Sequence, residues 1–460
     1  MSKISENIIL TLRSGPMSSA DIAAGLRVNA TTVSRQLNQL GDRVIKSGAG
    51  RSTLWYLSRP LKALGDAHML PIYRVDTAAS AHKIAHLYLV FPANGYLVEY
   101  FRENATDEVS LKGVEWTYYE SLPWWLTDMR PQGFLGRSFA NLLRTRGENL
   151  NADPRTWSDD EILSVLARYP QDNIGNLLIG EEAYKQWLHL AQSVSISAAE
   201  VAEIAEAIAR GEHFDSSTQG EQPKLIACLA GTECIVKFTG QVMQTAVDTV
   251  ANRWADLLHV EALSSTVLNQ AIPGIAAINR AFQVYERTFM ASQRFDRTTE
   301  GGRLGVISLS SLDAEFVGKA EQPWPVIMQA LANADIVTEQ ALVHSKIAWA
   351  FGQLIANSDM HLGNLSVLNM RGRPYDLAPI YDMLPMHFAP TSAGDLPTQP
   401  RNINLCLQVD RVHWELAHPL ALALWQQVIE HPSISDHFKI LARQQLSVVK
   451  DFAAVIQRMA

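Results

Sequence analysis

The chain has 460 residues, of which 47% are hydrophobic and 19% are charged. This composition suits a globular protein of about three domains and excludes a disordered or fibrous chain. No stretch approaches the roughly 18 apolar residues of a membrane helix, and three cysteines without zinc-like spacing exclude a disulfide scaffold. The sequence therefore predicts a cytoplasmic protein with no membrane association.

The net charge of −8 is unevenly distributed along the chain. Residues 1–60 contain eight lysine or arginine residues against three acidic residues, whereas the rest of the chain is acidic. A small basic segment on an acidic body is typical of a tethered nucleic-acid-binding domain. Many small surface domains carry a similar charge, so this feature needs support from the local sequence.

Residues 1–60 have the pattern of a winged helix-turn-helix domain. Apolar spacing predicts a helix over Ile4–Leu12, and an Ser/Thr-x-x-Asp/Glu cap at Ser18–Asp21 begins a second helix. A third helix is predicted over Ala30–Leu40. Two strand-like runs, 44–46 and 53–57, flank a tip rich in glycine and serine, which is typical of a wing.

The third predicted helix has a polar face that suits DNA. Its apolar residues would face the core, which leaves short donors and a guanidinium for phosphates and base edges in the major groove. The candidate DNA-binding residues, including one in the wing, are Thr31, Thr32, Ser34, Arg35, Gln36 and Arg51. The phrase Thr-Val-Ser-Arg-x-Leu resembles bacterial recognition helices, so duplex DNA is the expected partner. The alternative is a small helical domain used for protein contacts.

The middle of the chain contains a candidate phosphate-binding region. Residues 68–120 alternate apolar and polar residues and predict a small antiparallel sheet, and residues 133–210 are mostly helical. A loop of small polar residues, 214–224, then precedes two strands, the second of which carries Lys237. Such a loop can direct N–H groups toward phosphates, and a lysine inside an apolar strand favours an anionic partner. The alternative is an edge-strand lysine that extends to solvent.

The C-terminal half carries a pattern typical of phosphoryl transfer. Asp359 and Asn364 lie five positions apart in a loop that follows a predicted helix. In protein kinases with this spacing, the Asp orients the hydroxyl nucleophile and accepts its proton, and the Asn holds Mg²⁺. Asp382 follows at the end of a strand and fits a second metal-binding carboxylate. An isolated Asp-x4-Asn pair is usually a capped turn, but the order of these residues with Lys237 favours a kinase.

These segments resemble the HipA-like serine/threonine kinases of bacterial toxin–antitoxin systems. Residues 357–366 (NSDMHLGNLS) are similar to the catalytic loop of that family, and residues 379–384 (PIYDML) to its metal motif. Residues 217–224 look like its Gly-rich loop, 235–237 (IVK) like its ATP-binding strand, and 293–297 (QRFDR) like its hinge. The preceding winged helix is similar to the single-gene HipH (YjjJ-type) branch.

The resemblance implies ATP and Mg²⁺ as cofactors and gives each matched residue an expected role. Asp359 would be catalytic, Asn364 and Asp382 would bind the metal, and Ser217 would be self-phosphorylated. His361 either contacts phosphate, as in the family, or packs the catalytic loop. The residues implied to bind ATP are Gln219, Gly220, Glu221, Gln222, Pro223, Lys224, Lys237, Gln293, Arg294, Phe295, His361, Leu362, Gly363, Asn364, Tyr381 and Asp382.

Two positions depart from the family pattern or are less clearly matched. The hinge begins with Gln293 where the family has Glu. The acidic partner of Lys237 has no motif of its own, and Glu261 is the candidate, with Asp256 behind it.

We therefore expect an α+β protein with three parts. Residues 1–60 form the winged helix, residues 61–297 a β-rich kinase N-terminal lobe, and residues 298–460 an all-helical C-terminal lobe. The expected function is that of a Mg-ATP-dependent serine/threonine protein kinase of the HipA toxin type, self-phosphorylating and growth-inhibitory, fused to its own DNA-binding domain. The alternatives are a DNA-binding regulator with an inactive kinase body and a small-molecule kinase.

The expected partners follow from the same reading. Residues 1–60 would bind duplex DNA, and the kinase would act on a protein substrate, which in the family is often an aminoacyl-tRNA synthetase. The sequence leaves open whether an antitoxin binds the chain. A homodimer is expected, because winged helices often bind DNA as dimers.

Overall fold

The computed structural model describes residues 2–101, 115–169, 173–189, 194–210, 222–242, 248–370 and 372–459. The helices are α1 (Lys3–Leu12), α2 (Ser19–Leu26), α3 (Ala30–Gln39), α4 (Gly133–Thr145), α5 (Asp159–Arg168), α6 (Glu181–His189), α7 (Ala198–Ala209), α8 (Val250–Ala271), α9 (Leu309–Phe316), α10 (Trp324–Asn333), α11 (Glu339–Leu354), α12 (Arg411–Glu430) and α13 (Asp436–Gln457). The strands are β1 (Val44–Ser47), β2 (Leu54–Leu57), β3 (Met69–Val75), β4 (Ala81–Val90), β5 (Gly95–Tyr100), β6 (Trp116–Tyr119), β7 (Leu177–Ile179), β8 (Ser195–Ile196), β9 (Lys224–Leu229), β10 (Thr232–Phe238), β11 (Asn279–Val284), β12 (Arg287–Gln293), β13 (Gly305–Ser308), β14 (Ser366–Asn369) and β15 (Asp376–Leu377).

The chain divides into two compact units. The first contains Met1–Arg130 and Thr156–Leu190, and the second contains Pro131–Arg155 and Ala191–Ala460. The domain boundaries expected after residues 60 and 297 stay predictions. In the described part of the chain, no helix combines the length and apolar character needed to cross a membrane.

The first unit begins with three short helices and a two-stranded hairpin. Ser2, Ser18 and Asn29 each accept a backbone N–H from the first turn of the helix that follows, which fixes where each helix begins. The apolar faces of the helices form one buried core with the hairpin. The predicted helix-turn-helix domain is confirmed, with β1 and β2 as its wing.

An antiparallel sheet in the order β6-β5-β4-β3-β7 completes the first unit, as the alternating sequence predicts. Tyr56 of the wing packs with Val90 and Leu97 of this sheet in a small buried core. Immediately after the wing, the buried Arg59 guanidinium donates to both carboxylate oxygens of Asp160, at 2.6 and 2.9 Å. The winged helix and the sheet are therefore joined by shared packing.

The second unit contains another five-stranded sheet, in the order β11-β12-β10-β9-β8. Val236 and Phe238 of β10 are buried in a core with residues of α7, such as Val201. Because side chains alternate along a strand, Lys237 lies on the opposite face. There it contacts Glu261 of α8, in the same unit.

The C-terminal part of the second unit is mainly helical. Helices α11, α12 and α13 pack in succession around fully buried side chains that include Trp414, Trp425 and Phe351. A small antiparallel sheet, β13-β14-β15, also lies here, so the expectation of an all-helical lobe is corrected. The strand pairing buries Ile307 and Val367 while it satisfies their backbone groups. The α+β class is confirmed.

Candidate active site

A buried ion cluster forms where three separate elements meet. Lys237 Nζ donates to both carboxylate oxygens of Glu261, at 2.8 and 2.9 Å, and to Asp382 Oδ1 at 2.5 Å. The Lys237 and Glu261 side chains are only 12% and 2% exposed. Burial alone would lower the pKa of Lys237, but the two carboxylates raise it above its ordinary value. The alternative of a solvent-directed lysine is excluded, and Glu261 is confirmed as its partner.

The cluster combines two carboxylates with two lysines. One ammonium faces two carboxylates, and the pKa of Asp382 is held below its ordinary value by Lys237 although burial opposes this. Lys224 adds positive charge nearby, since it stands opposite Lys237 in the β9–β10 pairing and also lowers the pKa of Asp382. An ionised Asp382 beside a buried lysine suits the binding of a metal–phosphate group.

The predicted catalytic loop follows α11 and is fixed by the buried side chain of Asn357. Its Oδ1 accepts the Asp359 N–H at 3.0 Å, and its Nδ2 donates to the Asp382 carbonyl at 3.3 Å. This one amide therefore links the loop to the metal motif. Asp359 itself keeps an exposed carboxylate, 51% accessible, as an acceptor-binding role requires.

Asn364 lies at the other end of the same loop. Its Nδ2 donates to the Asp359 carbonyl at 2.8 Å, which closes the loop on itself. Within the part of the chain that the structure describes, the Asn364 Oδ1 accepts no hydrogen bond. An amide oxygen and the Asp382 carboxylate are the oxygen donors that Mg²⁺ prefers, so the residues present fit the implied metal.

His361 caps the turn Leu362–Asn364. Its Nδ1 accepts the Gly363 N–H at 3.0 Å, and its Nε2 lies 4.0 Å from Asp359 Oδ1. The ring is 60% exposed, so it shapes the loop and still reaches solvent beside the catalytic carboxylate. The structure thus shows loop packing for His361, and its contact with phosphate stays a prediction.

Tyr381 connects the loop that contains Gly363 to the predicted hinge, residues 293–297. The Tyr381 hydroxyl donates to the Gly363 carbonyl at 2.8 Å, and its ring stacks on Phe295 with centroids 6.0 Å apart. The Arg294 side chain is buried and donates to both oxygens of Asp296, so it holds the hinge from within. Gln293 ends β12, and its N–H donates to the Ile278 carbonyl at 2.9 Å.

The predicted Gly-rich loop is only partly described. Gln222 Nε2 donates to the Phe238 carbonyl at 2.6 Å, and the Pro223 carbonyl accepts the Phe238 N–H at 3.1 Å. These bonds fix the end of the loop to β10. The remaining predicted residues, namely Ser217, Gln219, Gly220 and Glu221, lie outside the described residues.

The candidate DNA-binding residues lie on α3 of the first unit and in its wing. Thr31 and Arg35 are exposed, Thr32 and Ser34 are half-buried, and Arg51 belongs to the turn Gly50–Ser52 between the wing strands.

Gln36 departs from the expected outward orientation. Its side chain is buried, accepts a hydrogen bond from Ser5 Oγ at 2.7 Å, and donates to Gln39 at 2.7 Å. The position follows Arg35 on the helix and turns toward α1, so its polar group is satisfied inside the domain. It therefore holds α1 against α3.

Three residues around the site were not foreseen from the sequence. Asn357 stands inside the catalytic-loop motif, and its position there was the available signal. Arg253 of α8 is almost completely buried and donates to the carbonyls of Phe388 and Pro397. Arg401 donates to the Asn357 carbonyl from 44 residues away, and no local pattern marks either arginine.

Comparison with known families and structures agrees with this geometry. Residues 7–43 match the arsR family of bacterial regulatory proteins, residues 66–188 the YjjJ-like toxin middle domain, and residues 216–458 the HipA-like C-terminal domain. Toxin YjjJ of Escherichia coli (strain K12) is 34% identical over 458 residues, covering 97% of this chain and 98% of that protein.

A solved structure shares the fold at low sequence identity. It is the complex of HipA, HipB and operator DNA from the toxin–antitoxin system of Shewanella oneidensis MR-1, at 14% identity and a TM-score of 0.51. The match covers 84% of this chain and 98% of that one. The chain belongs to the HipA-like family, in its YjjJ-like branch with an N-terminal helix-turn-helix domain.

Proposed function

We propose that this chain is a Mg-ATP-dependent serine/threonine protein kinase that carries its own DNA-binding domain. The observation that carries the proposal is the buried Lys237–Glu261–Asp382 cluster, formed by residues far apart in sequence. Lys237 is shared by two carboxylates from different elements, and one of them, Asp382, is 33% exposed and linked to the loop that carries Asp359. A partly accessible carboxylate held next to a buried lysine supports a site for a cation and a nucleotide.

Each residue has a distinct role in the proposed transfer. Lys237, held by Glu261, would bind ATP phosphates, and Asn364 and Asp382 would hold Mg²⁺. Asp359 would accept the proton of a serine or threonine hydroxyl as that oxygen attacks the γ-phosphorus and ADP leaves. Bound Mg²⁺ supplies neutralisation of phosphate charge, so the protein contributes mainly positioning.

The remaining nucleotide contacts would come from the hinge and the loops. Phe295 and Tyr381, whose rings stack, would flank the adenine side, and His361 with Gly363 would line the phosphate side. Residues 219–224 would cover the phosphates, and Ser217 would be the self-phosphorylated residue. A protein substrate, such as an aminoacyl-tRNA synthetase, follows from the family alone.

The proposal is tested by the intact mass of the purified protein before and after incubation with Mg·ATP, beside Asp359→Ala. We expect a gain of one phosphate on Ser216 or Ser217 that the variant lacks, because Asp359→Ala removes the base without opening the core. Equal gains in both proteins would contradict the role of Asp359. Equal unmodified masses, together with no transfer to any protein substrate, would leave the DNA-binding regulator with an inactive kinase body.

The DNA-binding half of the proposal has separate support. The exposed Thr31 and Arg35 lie on the second helix of the helix-turn-helix, in a basic segment of an acidic chain. The name of the Escherichia coli relative and the Shewanella oneidensis complex suggest toxin activity and an antitoxin partner for this chain as well. Growth arrest on expression of the wild type, absent with Asp359→Ala, is the expected result.

A further inference from the structure

A strap of chain after the metal motif, residues 386–401, crosses the catalytic loop. The His387 N–H donates to the Ala356 carbonyl at 3.1 Å, and Arg401 Nη1 donates to the Asn357 carbonyl at 2.5 Å. These two carbonyls belong to the turn immediately before Asp359. The strap is therefore hydrogen-bonded to the backbone of the turn that immediately precedes Asp359.

Arg401 is itself held in place by α13. The fully buried Gln445 accepts the Arg401 N–H at 2.8 Å and donates to the Arg401 carbonyl at 3.0 Å. These two hydrogen bonds fix the Arg401 backbone at the end of the strap, and they thereby limit the positions that its guanidinium can reach. Along the rest of the strap, Arg253 binds the Phe388 and Pro397 carbonyls.

The contact of Arg401 is not explained by ion pairing. Its guanidinium is half-buried, and burial lowers its pKa below the ordinary value. Among the residues that the structure describes, no carboxylate pairs with it, and burial is the cause of its lowered pKa. Partial burial of the Arg401 guanidinium costs solvation free energy, and the hydrogen bond to the Asn357 carbonyl offsets only part of this cost.

The Asn357 side chain connects the residue that Arg401 contacts to both Asp359 and Asp382. It binds the Asp359 N–H with one end and the Asp382 carbonyl with the other, and it is 1% exposed. A displacement of the Asn357 backbone would therefore change the relation of the catalytic base to the metal ligand. Displacements near 1 Å can slow an enzyme on the order of 10²-fold.

We propose that Arg401 is a positioning residue for phosphoryl transfer, which through Asn357 holds Asp359 and Asp382 in one arrangement. The inference rests on the proposed kinase function and adds a residue outside the catalytic motifs. Among the described residues, no hydrogen bond or ion pair joins Lys237 or Glu261 to the strap, and Lys237 holds the Asp382 carboxylate independently of Arg401. Loss of Arg401 is therefore expected to displace Asp359 more than the nucleotide site.

The test compares full-length wild type with Arg401→Gln, Arg401→Lys and the control Arg411→Gln. Arg411 is an exposed arginine paired with Glu415 on α12, away from the loop. In Arg401→Gln, kcat for ATP-dependent transfer should fall on the order of 10²-fold while KM for ATP stays within about twofold. Arg401→Lys, which can still donate to the carbonyl, should lose less, and Arg411→Gln nothing.

A second readout does not depend on activity. Hydrogen exchange of the segment containing the Asp359 amide should quicken in Arg401→Gln, while exchange along α13 stays unchanged. If the wild type transfers no phosphate, the proposed kinase function fails, and exchange still decides whether Arg401 fixes the loop. A normal kcat in Arg401→Gln overturns the proposal, and so does a parallel loss of ATP affinity and thermal stability, which indicates a general structural role.

Discussion

At the residue scale, Lys237 shows how a single side chain gains a function from its surroundings. Its two carboxylate partners come from α8 and from the metal motif, so the charge of the cluster depends on tertiary contacts. With the lysine absent, the buried Glu261 carboxylate would face Asp382, whose side chain is 33% exposed. Like charges repel more strongly where one of them is removed from water.

Lys237→Ala should therefore lower the free energy of unfolding by about 3–5 kcal/mol, the cost of leaving a buried charge without its partner. Lys346→Ala is the matched control, because this equally buried lysine faces Asp410, which is 64% exposed and can be hydrated again. Denaturant unfolding of both variants measures the difference. Mg²⁺ should restore part of the stability of Lys237→Ala, and equal losses in the two variants would contradict the assignment.

At the element scale, neighbouring residues of α3 have different environments, one exposed and one buried. Arg35 is exposed on the face expected to meet DNA, whereas Gln36 is buried and joined to α1. The apolar spacing of Val33 and Leu37 defines the buried stripe of the helix, and Gln36 lies at its border. Helical periodicity alone does not show which way such a border residue turns.

Arg35→Ala should weaken binding to duplex DNA and reduce its dependence on salt by about one phosphate contact, without changing thermal stability. Gln36→Ala should destabilise the protein by about 1–3 kcal/mol, because it leaves buried donors of α1 without their acceptor. Gel-shift titration at two salt concentrations and thermal unfolding distinguish the pair. If Gln36→Ala is as stable as the wild type but no longer binds DNA, the Gln36 side chain faces outward to DNA and the buried orientation is wrong.

At the scale of the whole molecule, the chain is two compact units with separate sites. The first unit joins the winged helix to the antiparallel sheet through Arg59, whose guanidinium also lies 5.2 Å over the Tyr96 ring. The second contains every described residue of the proposed kinase site. Ligands of one site are therefore expected to stabilise the unit that binds them.

Arg59→Ala should lower the first unit's unfolding free energy by about 3 kcal/mol, because Asp160 loses its charged partner and keeps only the bond from the Tyr96 hydroxyl. The more exposed pair of Arg155 with Asp153, in the second unit, serves as a comparison, and Arg155→Ala should cost that unit less than about 1 kcal/mol. Calorimetry of the full chain measures both variants. Mg·ATP should raise the transition of the second unit in each variant, and a loss of that response in Arg59→Ala would contradict independent units.

The sequence by itself determined the helix-turn-helix, the alternating strands and the positions of the motifs to which catalysis is assigned. Each of these depends on neighbours within a few positions: caps such as Ser18, period-two strands, and the Asp359–Asn364 spacing. Local patterns of this kind persist in any fold that contains them. The likeness to the HipA-like family then supplied the order in which the motifs would meet.

Only the tertiary structure decided which distant residues complete the site. The choice of Glu261 over Asp256 depends on which side of α8 faces β10, and Asp256 instead binds Ser435 at the start of α13. The contact of Arg401 with Asn357 requires the strap to return across the loop. Such contacts are fixed by the packing of whole elements, which one-dimensional spacing does not encode.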